Sequence, residues 1–415
     1  MRISTSLIYR RGVQPINDHL SKLVKVQEQI SSGRKILKPS DDPTNSARLM
    51  ELHKQVQLNE QYGRNITIAN GRLGVEEIAV QESGNILQRA RELTIQANNA
   101  ALTPENRQAI AMEIGQLRQQ LLDTANAKDP EGAFLFAGFK EQTQPFTRTA
   151  GGDVVYDGDQ GQRSLQVGPS RQIASSDAGD SVFMLARNGN GQFRTELDSG
   201  NTGGGTITVG SVTNLAEFQN AFMGGGHPYR LQFAVDATDP LNPVTTYEIL
   251  DATNTPGPLG PQPYTAGATI AFNGIKVAVS GQPADGDRFI VKPSENQSLF
   301  KTLDNLINAL ALPDNTPASV AKLTQSLDSA LTDIDQGLLN LNQARGRIGS
   351  RMNALDAQDE VNRNFNVQLQ KLQSEIGAVD YAEAASRLSQ ELLALQASQQ
   401  SFMKIQNLSL FNYLR

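Results

Sequence analysis

Three histidines, His19, His53 and His227, are the side chains from which metal or acid–base chemistry would be built, and they lie far apart in the chain. None sits in an H-E-x-x-H pattern or in another spacing that puts two ligands on one face. No Ser-His-Asp arrangement stands out either. Asp157-Gly158-Asp159-Gln160-Gly161 starts like a calcium loop. It lacks the third acidic ligand and the distal glutamate that such a loop needs, so it reads as a hairpin turn. The glycine triplets Gly203–Gly205 and Gly224–Gly226 are not followed by a Lys-Ser/Thr pair or a clear helix. They read as flexible loops rather than phosphate cradles. Cysteine is absent, which excludes disulfides and thiolate metal sites. The expectation is therefore no catalytic residue, no metal, no cofactor and no enzyme activity.

Composition narrows the class further. The 415 residues could hold two or three domains, with 38% hydrophobic residues, 6% aromatics and no tryptophan. The 37 basic and 43 acidic residues are mixed, and the net charge of −6 points to solubility rather than to nucleic-acid binding. No apolar run reaches transmembrane length, and no apolar signal segment follows Met1-Arg2-Ile3-Ser4-Thr5-Ser6.

What the chain has in abundance is helical periodicity. Every seventh residue from Val320 reads Val320, Leu327, Ile334, Leu341, Ile348, Leu355, Asn362, Leu369 and Ile376. A column offset by three reads Leu323, Ala330, Gly337, Ala344, Arg351, Gln358, Phe365, Leu372 and Val379. Apolar residues alternately three and four apart make one seam along a helix. No proline follows Pro317, and a helix of about 60 residues is roughly 90 Å long at 1.5 Å per residue. Such a helix needs another long helix beside it. Arg351, Gln358 and Asn362 interrupt the seam. Either they fix register or meet a neighbouring subunit, or a drift of about 20° per heptad moves the seam onto residues such as Met352. Gly346 and Gly349 each cost about 1 kcal/mol relative to alanine; they are either tolerated or let a neighbouring helix come close.

The partner helices lie at the other end of the chain. Val13, Ile16, Leu20, Leu23, Gln27 and Ile30 repeat the three-four spacing. After Lys38-Pro39-Ser40-Asp41-Asp42-Pro43, a proline-free stretch carries Ile66, Ala69, Leu73, Glu76, Val80, Ser83, Leu87, Ala90, Thr94 and Ala97. Asp42-Pro43 suits an N-cap and first helical position, and Thr103-Pro104-Glu105 marks a further helix start. From about Ala133 to Pro293 the chain changes to glycine, proline, threonine and valine. Segments such as Tyr229–Val235 and Gly274–Val279 alternate as half-buried strands do. The class is thus α+β: a long antiparallel helical-bundle rod built from both termini, with a β-rich insertion.

The two ends resemble the bacterial flagellin-like superfamily. Gln27–Ile36 with Pro39–Pro43 is similar to its amino-terminal signature, Ala344–Leu355 to its carboxy-terminal rod helix, and Leu395–Gln399 with Lys404–Leu414 to its final helix. Met1–Thr5, Phe134–Lys140 with Thr143–Phe146, and Tyr156–Arg163 resemble the hook–filament junction family within that superfamily. Gly286–Val291 is similar to the end of the outer domain in hook-associated proteins. The likeness covers about the first 180 and the last 120 residues.

That resemblance implies three parts. Residues 1–40 with 380–415 would form a terminal coiled-coil domain; one narrow apolar stripe on each, set against a backbone ordering cost of about 1–2 kcal/mol per residue, leads us to expect both segments to be disordered in the free monomer. Residues 41–180 with 292–379 would form a helical rod with a β-hairpin flank, and 181–291 an inserted outer β domain. It implies a structural adapter between hook and filament, outside the cell, delivered by the flagellum's own type III export apparatus. Its partners would be the first hook-associated junction protein, flagellin, copies of itself and an export chaperone at the carboxy-terminal helix, with no nucleic acid and no membrane. The assembly interface is expected at Ile16, Leu20, Leu23 and Ile30 against Leu388, Leu392, Leu395 and Phe402. The rod seam is expected at Val320, Leu327, Ile334, Leu341, Ile348 and Leu355. The alternatives are a flagellin subunit of the filament, and a module whose outer domain binds glycan or a host surface.

Overall fold

Helix starts are set by local chemistry. Asp42 accepts a hydrogen bond from the Asn45 N–H at 3.0 Å, directly before helix α2 (Pro43–Ala97). Thr103 caps α3 (Pro104–Ala125), which opens with Pro104 and Glu105, as an orphaned first turn favours. Helix α1 spans Thr5–Ser32. A short helix, α4, covers Leu215–Phe218. Ser298 caps α5 (Leu299–Leu310) by accepting from the Lys301 N–H at 3.0 Å. Helix α6 runs unbroken from Pro317 to Gly377, and α7 from Tyr381 to Phe411. The structure, a computed structural model, describes residues 5–99, 102–223, 228–236, 244–251, 260–313 and 316–411. It has two compact units, one of residues 1–65, 167–169 and 356–415, the other of residues 66–166 and 170–355. No helix among the described residues is long and apolar enough to cross a membrane.

In the first unit α1 runs antiparallel to α7, and the start of α2 runs against the end of α6. Leu52 and Val56 bury against Leu369, with Leu372 and Ile376 packed alongside. The turns after α1 and α6 are stitched by Lys35 N–H to Gly377 O at 2.8 Å and Val379 N–H to Gly33 O at 3.0 Å. Gly33 has φ +68°, a left-handed conformation in which a β-carbon is strained.

The second unit combines helices with the β-rich middle. The remainder of α2, with α3, α5 and the first part of α6, forms its helical part. Phe136, Phe146, Phe183 and Phe300 are fully buried and pack in a cluster of mostly edge-on and tilted ring contacts at centroid distances of 5.0–6.2 Å. Strands Phe146–Arg148 and Val154–Tyr156 form an antiparallel hairpin beside this cluster. Further along, a five-stranded antiparallel sheet is ordered Gln262–Pro263, Val244–Leu250, Tyr229–Asp236, Arg288–Pro293, Phe193–Leu197. A second sheet is built on Thr269–Phe272 and Ile275–Ser280, which are joined by Asn273-Gly274 with both φ angles positive, as a two-residue hairpin requires. Phe193, Leu231, Phe233, Ile249, Ile270, Ile275, Val277, Phe289 and Val291 fill the core of this region.

The turn residues behave differently from the flexible loops expected of them. Asp287 accepts from the N–H groups of Thr202, Gly203 and Ala284 at 2.8–3.0 Å. A β-carbon at Gly203 would collide with the Ala284 amide and the Asp287 carboxylate. Gly203 is therefore required by close packing, not by mobility. Gly224–Gly226 and His227 lie outside the described residues.

Candidate assembly surfaces

The α1–α7 pair brings together a heptad face on each helix. On α1 it reads Gly12, Ile16, His19, Leu23, Val26 and Ile30, all half-buried or buried. On α7 it reads Ala384, Leu388, Glu391, Leu395, Ser398 and Phe402, likewise. Gly12 is needed at its level, because a β-carbon there would come within 2.5 Å of the Phe402 ring. Tyr9 meets the same ring edge-on, with centroids 5.5 Å apart. His19 Nδ1 lies 2.6 Å from Glu391 Oε2. Two residues expected on this face are off it: Leu20 is 48% exposed and Leu392 44%. Their seam levels are taken by the adjacent His19 and Glu391. Spacing alone does not separate the two registers, because 13, 16, 20, 23, 27, 30 alternates three and four as regularly as 12, 16, 19, 23, 26, 30; the second is the one that the α1–α7 contact covers. Val24, Leu393, Met403 and Ile405 also stay exposed around the pair.

In the rod, Leu327, Ile334, Leu341, Ile348 and Leu355 are buried. Val320 is not: it is 45% exposed in the first turn of α6, where Ala321 and Leu323 turn inward instead. On α2, the ten residues from Ile66 to Ala97 singled out by spacing are all buried. The polar ones are accommodated individually. Ser83 and Thr94 donate their hydroxyls to the carbonyls of Ala79 and Ala90, at 2.8 and 2.7 Å, one turn back.

The three interruptions of the α6 seam have partners within the chain. Arg351 Nη2 reaches Asp177 Oδ1 at 2.7 Å. Asn362 donates to Val167 O at 2.9 Å, accepts from Gln358 Nε2 at 2.9 Å, and its carbonyl accepts from Asn59 Nδ2 at 2.7 Å. Neither helical drift nor a neighbouring subunit is needed to explain them. The signal missed in the sequence was that Glu76 on α2 and Arg351 on α6 break facing apolar seams. Burial and the nearby Asp177 carboxylate push the Glu76 carboxyl up to about 8. Gly346 and Gly349 have open space where a β-carbon would stand, so among the described residues none uses them for close approach.

The remaining chemical candidates resolve as scaffolding. Asp159 accepts from the N–H groups of Phe139 and Gly161, at 2.9 and 2.8 Å; these bonds hold its carboxyl below the usual range and close a turn. His53 Nδ1 lies 3.0 Å from Gln373 Nε2 across the α2–α6 contact of the first unit. Among the described residues no group of three His, Cys, Asp or Glu is placed to hold a metal ion.

Comparison with known proteins gives a consistent picture. Residues 3–141 match the bacterial flagellin N-terminal helical region, and residues 331–414 match the bacterial flagellin C-terminal helical region. The chain is 32% identical to flagellar hook-associated protein 3 of Escherichia coli K12 over 183 residues, which is 44% of this chain and 57% of that relative. The match thus spans little more than half the length of this curated relative. The crystal structure of flagellar hook-associated protein 3 from Legionella pneumophila is 31% identical with a TM-score of 0.73, covering 79% of this chain and 98% of that one. The crystal structure of FlgL from Xanthomonas campestris is 30% identical with a TM-score of 0.69, covering 78% of this chain and 99% of that one.

Proposed function

The chain belongs to the flagellar hook-associated protein 3 family, and from that premise we propose that it is a structural adapter joining the flagellar hook to the flagellin filament. The observation that carries this reading is the incompleteness of the α1–α7 pair. Each helix offers one covered face, while Leu20, Val24, Leu392, Leu393 and Ile405 remain exposed. A two-helix pair buries little area against a backbone ordering cost of about 1–2 kcal/mol per residue. Neighbouring subunits supply the missing faces, so that folding and assembly reinforce each other.

On this reading the terminal helices bundle with those of the first hook-associated junction protein on one side and flagellin on the other. Copies of the chain lie between. Ile16, Leu23, Ile30, Leu388, Leu395 and Phe402 hold the intrachain pair, and Leu20 and Leu392 face the neighbours. The work is non-covalent and needs no cofactor or catalysis. The protein acts outside the cell after passage through the type III export apparatus, with the apolar stripe of α7 held by an export chaperone beforehand. Deleting the gene tests this. Cells should carry hooks without filaments and release flagellin into the medium, both restored by the intact gene. Normal filaments in the deletion strain would refute the junction role.

A further inference from the structure

Glu76 and Asp177 are both enclosed, at 1% exposure each, and come from distant parts of the second unit. Asp177 lies in the buried segment 175–180, which follows the strand Gln172–Ala174 and passes between α2 and α6. Its N–H donates to Glu76 Oε1 at 3.0 Å. Asp177 Oδ1 accepts from Arg351 Nη2 at 2.7 Å and from Gln162 Nε2 at 2.9 Å, and Arg347 Nε lies 3.9 Å from Oδ2. Arg72, one turn before Glu76, is committed elsewhere: its Nη1 is 2.7 Å from Glu141 and 3.7 Å from Asp129, and Arg163 also pairs with Glu141. Arg351 and Arg347 are thus turned to Asp177 and Arg72 to Glu141; the charges of Arg351 and Arg72 draw the Glu76 carboxyl down, but less than burial and Asp177 push it up. Glu76 has one backbone amide and a carboxylate neighbour. Its Oε2 and Asp177 Oδ2 have no hydrogen-bond partner among the described residues.

We propose that Glu76 is a proton-operated latch: it stays protonated beside the Asp177–Arg351 pair, and loss of its proton loosens the 175–180 segment from α2 and α6. A proton on Oε2 removes the negative charge from an enclosed carboxyl whose second oxygen has no donor. Two enclosed carboxylates side by side are otherwise costly to ionise together. The consequence reaches beyond the pair, because Asn340 Nδ2 donates to the carbonyls of Ser181 and Val182, and Phe183 enters the aromatic cluster directly after them. The latch therefore sits where the helical part hands over to the β-rich insertion. It does not depend on the junction role.

The sign follows from linkage. The folded state holds this proton more tightly than the unfolded chain, whose glutamates titrate near 4.5. The stabilisation is complete below that value and is lost as pH rises toward about 8, by about tenfold in the opening constant per pH unit. Hydrogen exchange on the full chain reads this at the amides of Leu73, Asp177 and Ile348. Wild-type protection factors should fall at least about tenfold between about pH 6 and about pH 8, and those of Glu76→Gln should stay flat. Parallel pH profiles for the two proteins would overturn the proposal. If the variant fails to fold, carbon-13 titration of wild-type glutamate carboxyls decides. One should remain protonated at about pH 7, and a spectrum with all of them ionised there contradicts the latch.

Discussion

Single side chains in this protein matter through what lies opposite them. Leu341 is 1% exposed in the middle of the α6 seam. Truncating such a leucine leaves a cavity, so Leu341→Ala should cost about 2–5 kcal/mol and lower the melting temperature of the soluble chain. Leu395, half-buried on α7, should give almost no change in the same melt when replaced by alanine, yet weaken assembly. Equal thermal losses from both substitutions would contradict this division of roles. The glycines of α6 separate in the same way. A β-carbon at Gly337 would stand 2.7 Å from Leu299 and 3.1 Å from Leu87, whereas one at Gly346 meets nothing within 4 Å. Gly337→Ala should therefore destabilise by about 1–3 kcal/mol, despite the better helix propensity of alanine. Gly346→Ala should stabilise by up to about 1 kcal/mol, since only propensity changes. Denaturant melts of the two variants check the opposite signs. If Gly346→Ala stabilises the monomer but blocks filament attachment, a neighbouring subunit uses that glycine.

At the scale of elements, the β-rich insertion is the part most open to removal. Ser294 N–H bonds to Gln192 O at 2.9 Å, so the chain enters and leaves the region at nearly one point. Its core runs from Phe193 to Val291 and is its own. Replacing 193–293 with a short Gly/Ser linker should keep the protein soluble, leave protection of the α2 and α6 seam amides intact, and preserve filament attachment. Loss of filaments from a well-exported variant would show that the insertion takes part in joining. A cut at Ser181, the limit that the family resemblance implies, would instead remove buried Val182 and take Phe183 out of the aromatic cluster with Phe136, Phe146 and Phe300. The long helices could be read from the chain because each buries one face, and the spacing of Ile66 to Ala97 or Leu327 to Leu355 records that face directly. Other features had no such local record. Asp177, which answers Arg351, lies 174 residues from it in a loop. Asp287, which makes Gly203 obligatory, lies 84 residues from it. On α1 and α7 two registers satisfy the same three-four alternation, and only the contact between the helices puts His19 and Glu391 on the shared face and leaves Leu20 and Leu392 exposed.

For the molecule as a whole, the terminal helices are expected to fold only on assembly. In a confirmed monomer, amides around Leu20 and Leu395 should exchange near random-coil rates while those around Leu341 stay protected. Strong protection at both ends would show that the α1–α7 pair stands alone. That conditional folding bears on the central claim, that this chain converts a hook end into a surface on which flagellin polymerises. The direct measurement uses isolated hooks that carry the first junction protein, incubated with flagellin monomers with and without the purified chain, and scored by electron microscopy. Filaments should grow only when the chain is added first, and the chain alone should add a short zone and stop. Flagellin that elongates equally well without it, or long filaments formed from the chain by itself, would contradict the account.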